Sequence, residues 1–560
     1  MKPLIPVGLA PEGQAGIVCA EMVRKVLLLA LTLVVAVIVI FWAVVGRHRE
    51  GPGVRPIPNW VLYPWEYFTW GWNALVHKGG EPPECRDFVS HFPEWTPRPI
   101  THAEIPQHPF MAKNGTSNMH CDAYMSDAYE ASGPVGPNLR VKSRTQGFGG
   151  YGTITFDSRG RLVAVYSNGR RFQLELMDPY TLEELASYDL PPRPIYWLLQ
   201  GVMPWEYIGA GMYFYLDNED RAIVPTTRNT ILVIQVPEPG GEFQLVREYD
   251  LRDHVVPMSW PHQDSVAWVL PDWGGEYYWY ATTQGIVGTI EISTGEVHTL
   301  RLEGEVIENS FAVGEDGVFI VSDHALYRFV LGDDGNIVVA WRTPYDRGSR
   351  KKPGHISRGS GSSVSLVGSP EDGLVVITDN AEPRINLLFV RRADGEVVCR
   401  QPLFPEGKSG TDVSVVCFEH ADADGKGTGV YSVLVENNWG HHTFPRSRPV
   451  GGLVRVDLIR NPNGYSCREV WTSEEKSIGV FKLSLGNGLV YMYWRSETCP
   501  VTKWYLTAID FATGKTVYKK LVGRGLGYNN WAGALFIHPD GGILYSTTIF
   551  GLVMISDAGP

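Results

Sequence analysis

The chain of 560 residues is poor in the residue patterns that announce a particular chemistry. It has 7 cysteines and none stands in a C-x-x-C pair, so zinc-ribbon and thioredoxin-like readings have no support. No G-x-S-x-G elbow, Walker loop or dinucleotide fingerprint occurs. The glycine-rich runs 147–152 and 359–363 are followed by no helix that would hold a phosphate, and they read as loops between repeats. Basic charge is scarce too. Lys and Arg total 49 against 61 Asp and Glu, a net charge of -12. That balance argues against a nucleic-acid binder, which needs a basic face, and against docking of the soluble part on anionic lipid.

Hydrophobic length is present in one place. Residues 26–45, VLLLALTLVVAVIVIFWAVV, carry no charge, and ~20 apolar residues cross a bilayer. Arg24 and Lys25 precede the run, and Arg47, His48 and Arg49 follow it, so flanking charge alone does not orient it. The run exceeds a signal-peptide core of ~7–15 residues and no A-x-A site follows, so it reads as an uncleaved single-pass anchor behind a short cytoplasmic tail, 1–25. Cysteine distribution places the remainder on the periplasmic or extracellular side. Cys19 lies before the anchor, and Cys85, Cys121, Cys399, Cys417, Cys467 and Cys499 lie beyond it. An even number there suits disulfides in an oxidising compartment. The expected pairs are Cys85 with Cys121 and Cys399 with Cys467, leaving Cys417 with Cys499. Sequence does not fix connectivity, and buried free thiols are the other reading.

Residues 46–138 read as an irregular arm, aromatic at first and then rich in proline and histidine. Trp60, Trp65, Trp70 and Trp72 stand just outside the anchor, where they suit the lipid headgroup level or a partner surface. Further on, residues 118–127 gather His120, Cys121, Asp122 and Asp127 between Met119 and Met125. The spacing matches no standard metal site, and the run is expected to lie as a loop across the face of the repeats.

From about residue 150 short β-rich runs alternate with turns. A first set of turns falls at 157–160, Asp217-Asn218, 272–274, Asp316-Gly317, Asp372-Gly373, Asp424-Gly425, Asn487-Gly488 and Asp540-Gly541. Their spacing is that of propeller blades, ~40–50 residues, and Asn-Gly or Asp-Gly supplies the positive φ that tight hairpins need. A second set falls at 178–182, 239–241, 293–295, Asp334-Gly335, Asp394-Gly395, Asn463-Gly464 and 512–514. It has one member fewer, so the last repeat lacks a fourth strand. Residues 139–145, LRVKSRT, are the candidate that completes it. The fold class expected is all-β: one eight-bladed β-propeller of four-stranded blades over 139–560, its last blade closed by an N-terminal strand, behind one transmembrane helix.

Within the seventh repeat, Ala508, Asp510, Thr513, Gly514 and Tyr518 follow the pattern A-x-D-x-x-T-G-x-x-x-W, with tyrosine at the tryptophan place. This resembles the repeat of pyrroloquinoline-quinone-dependent dehydrogenases, and residues 150–557 look like the quinoprotein-like propeller superfamily. The resemblance implies the fold. It does not imply the cofactor, because the family's vicinal cysteines have no counterpart here and its blade-docking tryptophans are mostly replaced. Exported scaffold proteins of the superfamily carry such repeats without a cofactor.

Polar residues ahead of the inner strands are the candidates for a ligand at the channel mouth: His262, Asp264, Glu308, Asn309, Asp412, Asn529 and Asn530. A ring of carboxylate and amide oxygens suits calcium, and it equally suits a water-filled channel. The functional expectation is a membrane-anchored interaction or assembly subunit whose partner is another membrane or exported protein. The alternative is an exported calcium- or quinone-dependent enzyme, lactonase-like or dehydrogenase-like, acting on a small molecule at the channel.

Overall fold

A computed structural model of the chain describes residues 85–145, 149–193, 211–255, 264–441, 449–496, 499, 502–530 and 532–557, all within one compact unit. The apolar run 26–45, the four tryptophans from Trp60 to Trp72, and His262 lie outside the described residues.

Covered strands and edge strands differ in sequence for a physical reason. Strands flanked on both faces by neighbouring blades are apolar throughout, and Val266–Pro271 is buried at every position. Fourth strands have one face on a neighbour and one in water, so Glu184–Leu190 alternates. These runs fold into eight antiparallel sheets. Blades 1 to 7 begin with inner strands Gly150–Phe156, Tyr215–Leu216, Val266–Pro271, Ala312–Gly314, Ser365–Val367, Val416–Ala421 and Lys482–Ser484, and each runs outward through consecutive strands. Blade 8 has three consecutive strands, Leu535–Ile537, Ile543–Thr548 and Gly551–Asp557. Its fourth is Leu139–Thr145, antiparallel, with Leu139 opposite Asp557 and Thr145 opposite Gly551. Blade 8 packs against blade 1 and closes the ring. The expected closing strand is therefore the observed one.

Both sets of turns fall where the repeat requires, between first and second strands and between third and fourth strands. Aspartate makes many of the first turns by capping backbone donors. Asp217 Oδ1 accepts the N–H groups of Glu219 at 2.9 Å and Arg221 at 2.8 Å. The dehydrogenase-like repeat also has a mechanical reading. Thr513 donates to Asp510 at 2.6 Å, and Gly514 takes φ +70° beneath the indole of Trp471 from blade 6, which a Cβ would meet at 2.6 Å. Trp471 Nε1 donates to the Phe511 carbonyl at 2.9 Å. Trp341 caps the equivalent turn of blade 5 in the same way, donating to the Arg392 carbonyl at 2.9 Å. An outer-strand indole thus docks each of these blades on its neighbour.

Two disulfides are formed. Cys399–Cys467 joins the fourth strands of blades 5 and 6, as expected from sequence. The other two expected pairs are corrected. Cys85 bonds Cys499, while Cys121 and Cys417 are buried free thiols. The reason is the path of the arm. Phe88–Ser90 adds a strand to the outer edge of blade 7 and brings Cys85 to that blade, whereas Cys121 is drawn into the centre of the ring. The Cys399–Cys467 loop spans 68 residues. Replacing both by serine is expected to lower stability by about 2–4 kcal/mol, read as a fall in the urea midpoint. No fall would mean that the bridge adds no constraint to the unfolded chain.

Candidate functional site

The arm lies in the channel rather than across its face. From Cys85 it passes blade 7, where Arg98 N–H meets the Asn487 carbonyl, and then blade 6, where His102 bridges His420. It crosses to blade 2, where Met111 bridges Asp217, and then turns inward. Main-chain donors of the inner strands bond its carbonyls in succession. Phe156 bonds Thr116, Leu216 bonds Ser117, Val313 bonds Ala123, Leu366 bonds Tyr124, Cys417 bonds Ser126, and Leu483 bonds Asp127. Ala128–Tyr129 then pairs in parallel with blade 7. The short inner strands leave backbone donors that must find acceptors, and the arm supplies them.

Charge anchors the plug. Asp127 is fully buried and ion-pairs with the equally buried Lys482 of blade 7. Its carboxylate also accepts from Ser414 and holds His120 Nδ1 at 2.9 Å. Lys482 Nζ donates to the Met119 carbonyl at 2.6 Å. Burial pushes the Asp127 carboxyl up, but Lys482 and His120 outweigh it and hold it below the ordinary range. Between blades 4 and 5, Arg392 is buried and bonds Asp316, Glu315 at 3.1 Å and the Tyr124 hydroxyl at 2.8 Å. Neither cation was among the sequence candidates. Lys482 had a visible signal, the one charge on the inner strand Lys482–Ser484; Arg392 follows a strand end and carries none.

Asp122 lacks a cationic partner of that kind. Loss of water pushes its carboxyl up to about 7, against the pull of its Ser126 bonds. An unfolded aspartate titrates near ~3.9. The folded state therefore holds a proton that the unfolded state has lost, and this contribution, complete below about 4, disappears as pH rises through about 7. Asp122→Asn is expected to flatten the decline in urea stability from pH 4 to 7. An unchanged slope would contradict the assignment.

The opposite mouth gathers some of the candidates and not others. Glu308 and Asp412 converge. Glu308 is pushed up to about 7, first by burial, and accepts from Ser357 at 2.6 Å. Asp412 is raised well above its ordinary value by burial and then by Glu308. Asn309 follows Glu308 in the same connector. Asp264 is committed elsewhere: its carboxylate accepts from Thr282 at 2.9 Å and from the Gln284 N–H at 2.9 Å, fixing a turn of blade 3. Asn530 Nδ2 bonds the Gly533 carbonyl at 3.3 Å, and the Asn529 carbonyl bonds the Ile549 N–H at 2.9 Å, both within blade 8. Calcium takes ~6–8 oxygen ligands, and two converging carboxylates do not make that set. Among the described residues no group of three or more His, Cys, Asp or Glu side chains is disposed to hold a metal. Beside this mouth, Glu436 is buried, pushed up to about 8 by desolvation, and accepts from Asn438 Nδ2 at 2.5 Å.

Two hollows differ in kind. One, of about 20 Å³, is lined by the arm and blades 2, 3 and 4. The other, of about 430 Å³, is an open groove on the rim between the outer strands of blades 7 and 8, lined by Lys520, Arg524 and Tyr528 among others.

No family model matches the chain. A curated relative, an uncharacterized protein of Archaeoglobus fulgidus, is 24% identical over 310 residues. The match takes 50% of this chain, which spans 58% of the relative's length. Similar solved structures include the WD40 domain of SCAP from fission yeast, with TM-score 0.44 and 12% identity over 76% of this chain and 99% of that one. BamB from Moraxella catarrhalis gives TM-score 0.34 and 14% identity over 60% of this chain and 95% of that one. The computationally designed Ika8 protein gives TM-score 0.40 and 12% identity over 77% and 99%. The propeller assignment stands on strand order and ring closure.

Proposed function

We propose that this chain is a membrane-anchored, extracytoplasmic propeller that serves as an interaction or assembly subunit for another membrane or exported protein. The observation that carries this reading is the filled channel. Main-chain donors on the inner strands of six blades bond carbonyls of the arm, so the chain itself occupies the centre of the ring, where propellers otherwise hold small ligands. The surface left for recognition is the rim and the open mouth. Exposed aliphatic residues stand on fourth strands, Leu185 on blade 1, Leu245 and Val246 on blade 2, and Val338 and Val339 on blade 4.

Two disulfides support a compartment that is oxidising. The uncharged run 26–45 supports a bilayer anchor. The enzyme reading draws on the buried carboxyls of Glu308 and Asp412.

The test is purification of the full chain from its native membrane in mild detergent, with mass spectrometry and elemental analysis of what travels with it. A stoichiometric protein companion without metal or quinone is expected. A lone chain carrying stoichiometric calcium or a quinone would replace this reading with the enzyme.

A further inference from the structure

The connector from blade 4 to blade 5, residues 345–364, exceeds the ~12–15 residues of most loops. It runs along the open mouth and is fixed by groups of the neighbouring blades. Asn380, fully buried, donates from Nδ2 to the carbonyls of Arg347 at 2.9 Å, Arg350 at 3.3 Å and Arg358 at 3.4 Å. The buried Lys352 reaches the Ala381 carbonyl at 2.6 Å. The Gly440 N–H of blade 6 holds the Pro353 carbonyl at 3.0 Å, and Ser357 donates to Glu308 at 2.6 Å. A loop held this way has its shape before a partner arrives, which removes an ordering cost from binding.

The connector also carries a sign opposite to that of the chain. Residues 346–358 hold Arg347, Arg350, Lys351, Lys352 and Arg358 against Asp346, in a chain of net charge -12. Arg347 is paired with Asp323 at 2.5 Å, and Arg350 with Glu382 at 3.1 Å. Lys351 and Arg358 are exposed, and neither joins an ion pair among the described residues; Arg358 donates only to the neutral Gly348 carbonyl, at 2.5 Å. Glu308 and Asp412, the carboxyls near Lys351, do not cancel this charge. Burial pushes Glu308 up to about 7 and Asp412 well above its ordinary value, so near neutral pH the two carry at most one charge between them. Between the free cations in sequence, Ile356 is 55% exposed, while the Asp412 carboxyl holds its N–H. An aliphatic side chain supplies a partner with an apolar contact, and the flanking cations supply sign and register.

We infer that the tip of this connector, Lys351, Ile356 and Arg358, is the surface on which the propeller docks an acidic segment of its protein partner. This rests on the interaction role proposed above and gives that partner its chemistry. A bilayer fits less well, because basic lipid-binding clusters hold about 4–8 cations and the tip offers two.

Zero-length carbodiimide cross-linking of the full chain with its companion in native membranes tests this, because the reagent joins an amine only to a carboxylate in contact with it. The expected result is a link, mapped by mass spectrometry, from Lys351 to an Asp or Glu of the companion. Lys351→Glu combined with Arg358→Glu is expected to lower the companion recovered at least tenfold at an unchanged urea midpoint. A companion that is present but not linked to Lys351, or that the double variant recovers equally well, would overturn this inference and leave the interaction reading standing. Absence of any companion would overturn both. Flotation of the purified parent, and not of the double variant, with phosphatidylglycerol vesicles, without a companion link, would overturn it in favour of anionic headgroups.

Discussion

Lys482→Met is expected to destabilise the propeller by about 3–5 kcal/mol, because removing one partner of a buried ion pair strands the other charge. Lys482 and Asp127 are both fully buried, and the ammonium also holds the Met119 carbonyl. Methionine fills most of the volume, so the loss is electrostatic rather than a cavity. The stranded Asp127 keeps His120 and Ser414, which soften the penalty without abolishing it. Pairing the change with Asp127→Asn should recover a substantial part, since no uncompensated charge remains. Urea unfolding of the single and double variants measures the coupling. A single variant within 1 kcal/mol of the parent would mean that the pair is solvated and the arm less firmly seated than the geometry requires.

Deleting residues 139–145 is expected to have a still larger effect. This segment supplies the fourth strand of blade 8 through a seven-residue antiparallel ladder, Leu139–Thr145 on Gly551–Asp557. Without it the edge of Gly551–Asp557 is left unpaired, and unpaired edges recruit other strands. The deletion also shortens the chain between the arm and blade 1 by the seven residues 139–145. Loss of the cooperative transition and aggregation on size-exclusion chromatography are expected. A monomeric deletion variant with the parent's unfolding midpoint would show that the ring closes without this strand.

Much of the ring was legible in the sequence because its determinants are local. Each first hairpin carries its own turn residues, as at Asp316-Gly317 and Asn487-Gly488, and the missing eighth member of the second set pointed to 139–145. The arm was not legible, because its partners are remote. Nothing in residues 118–127 says that Asp127 will meet Lys482, 355 residues away. The cysteine pairs failed for the same reason: Cys85 is close to Cys121 in sequence, yet the added strand Phe88–Ser90 sends it to Cys499 on blade 7. At the open mouth, position ahead of an inner strand identified the residues but not their orientation. Asp264 caps a turn from such a position, while Glu308 and Asp412 face one another's charge.

Hydrogen exchange resolved to single amides tests most directly whether the channel is filled by the chain's own arm. The N–H groups of Leu216, Val313, Leu366, Cys417 and Leu483 donate to that arm, so they are expected to exchange only with global unfolding, as slowly as the centres of the blades. Fast exchange at these five positions, with the rest of each blade still protected, would show that the arm leaves the channel and would return the centre of the ring to consideration as a ligand site.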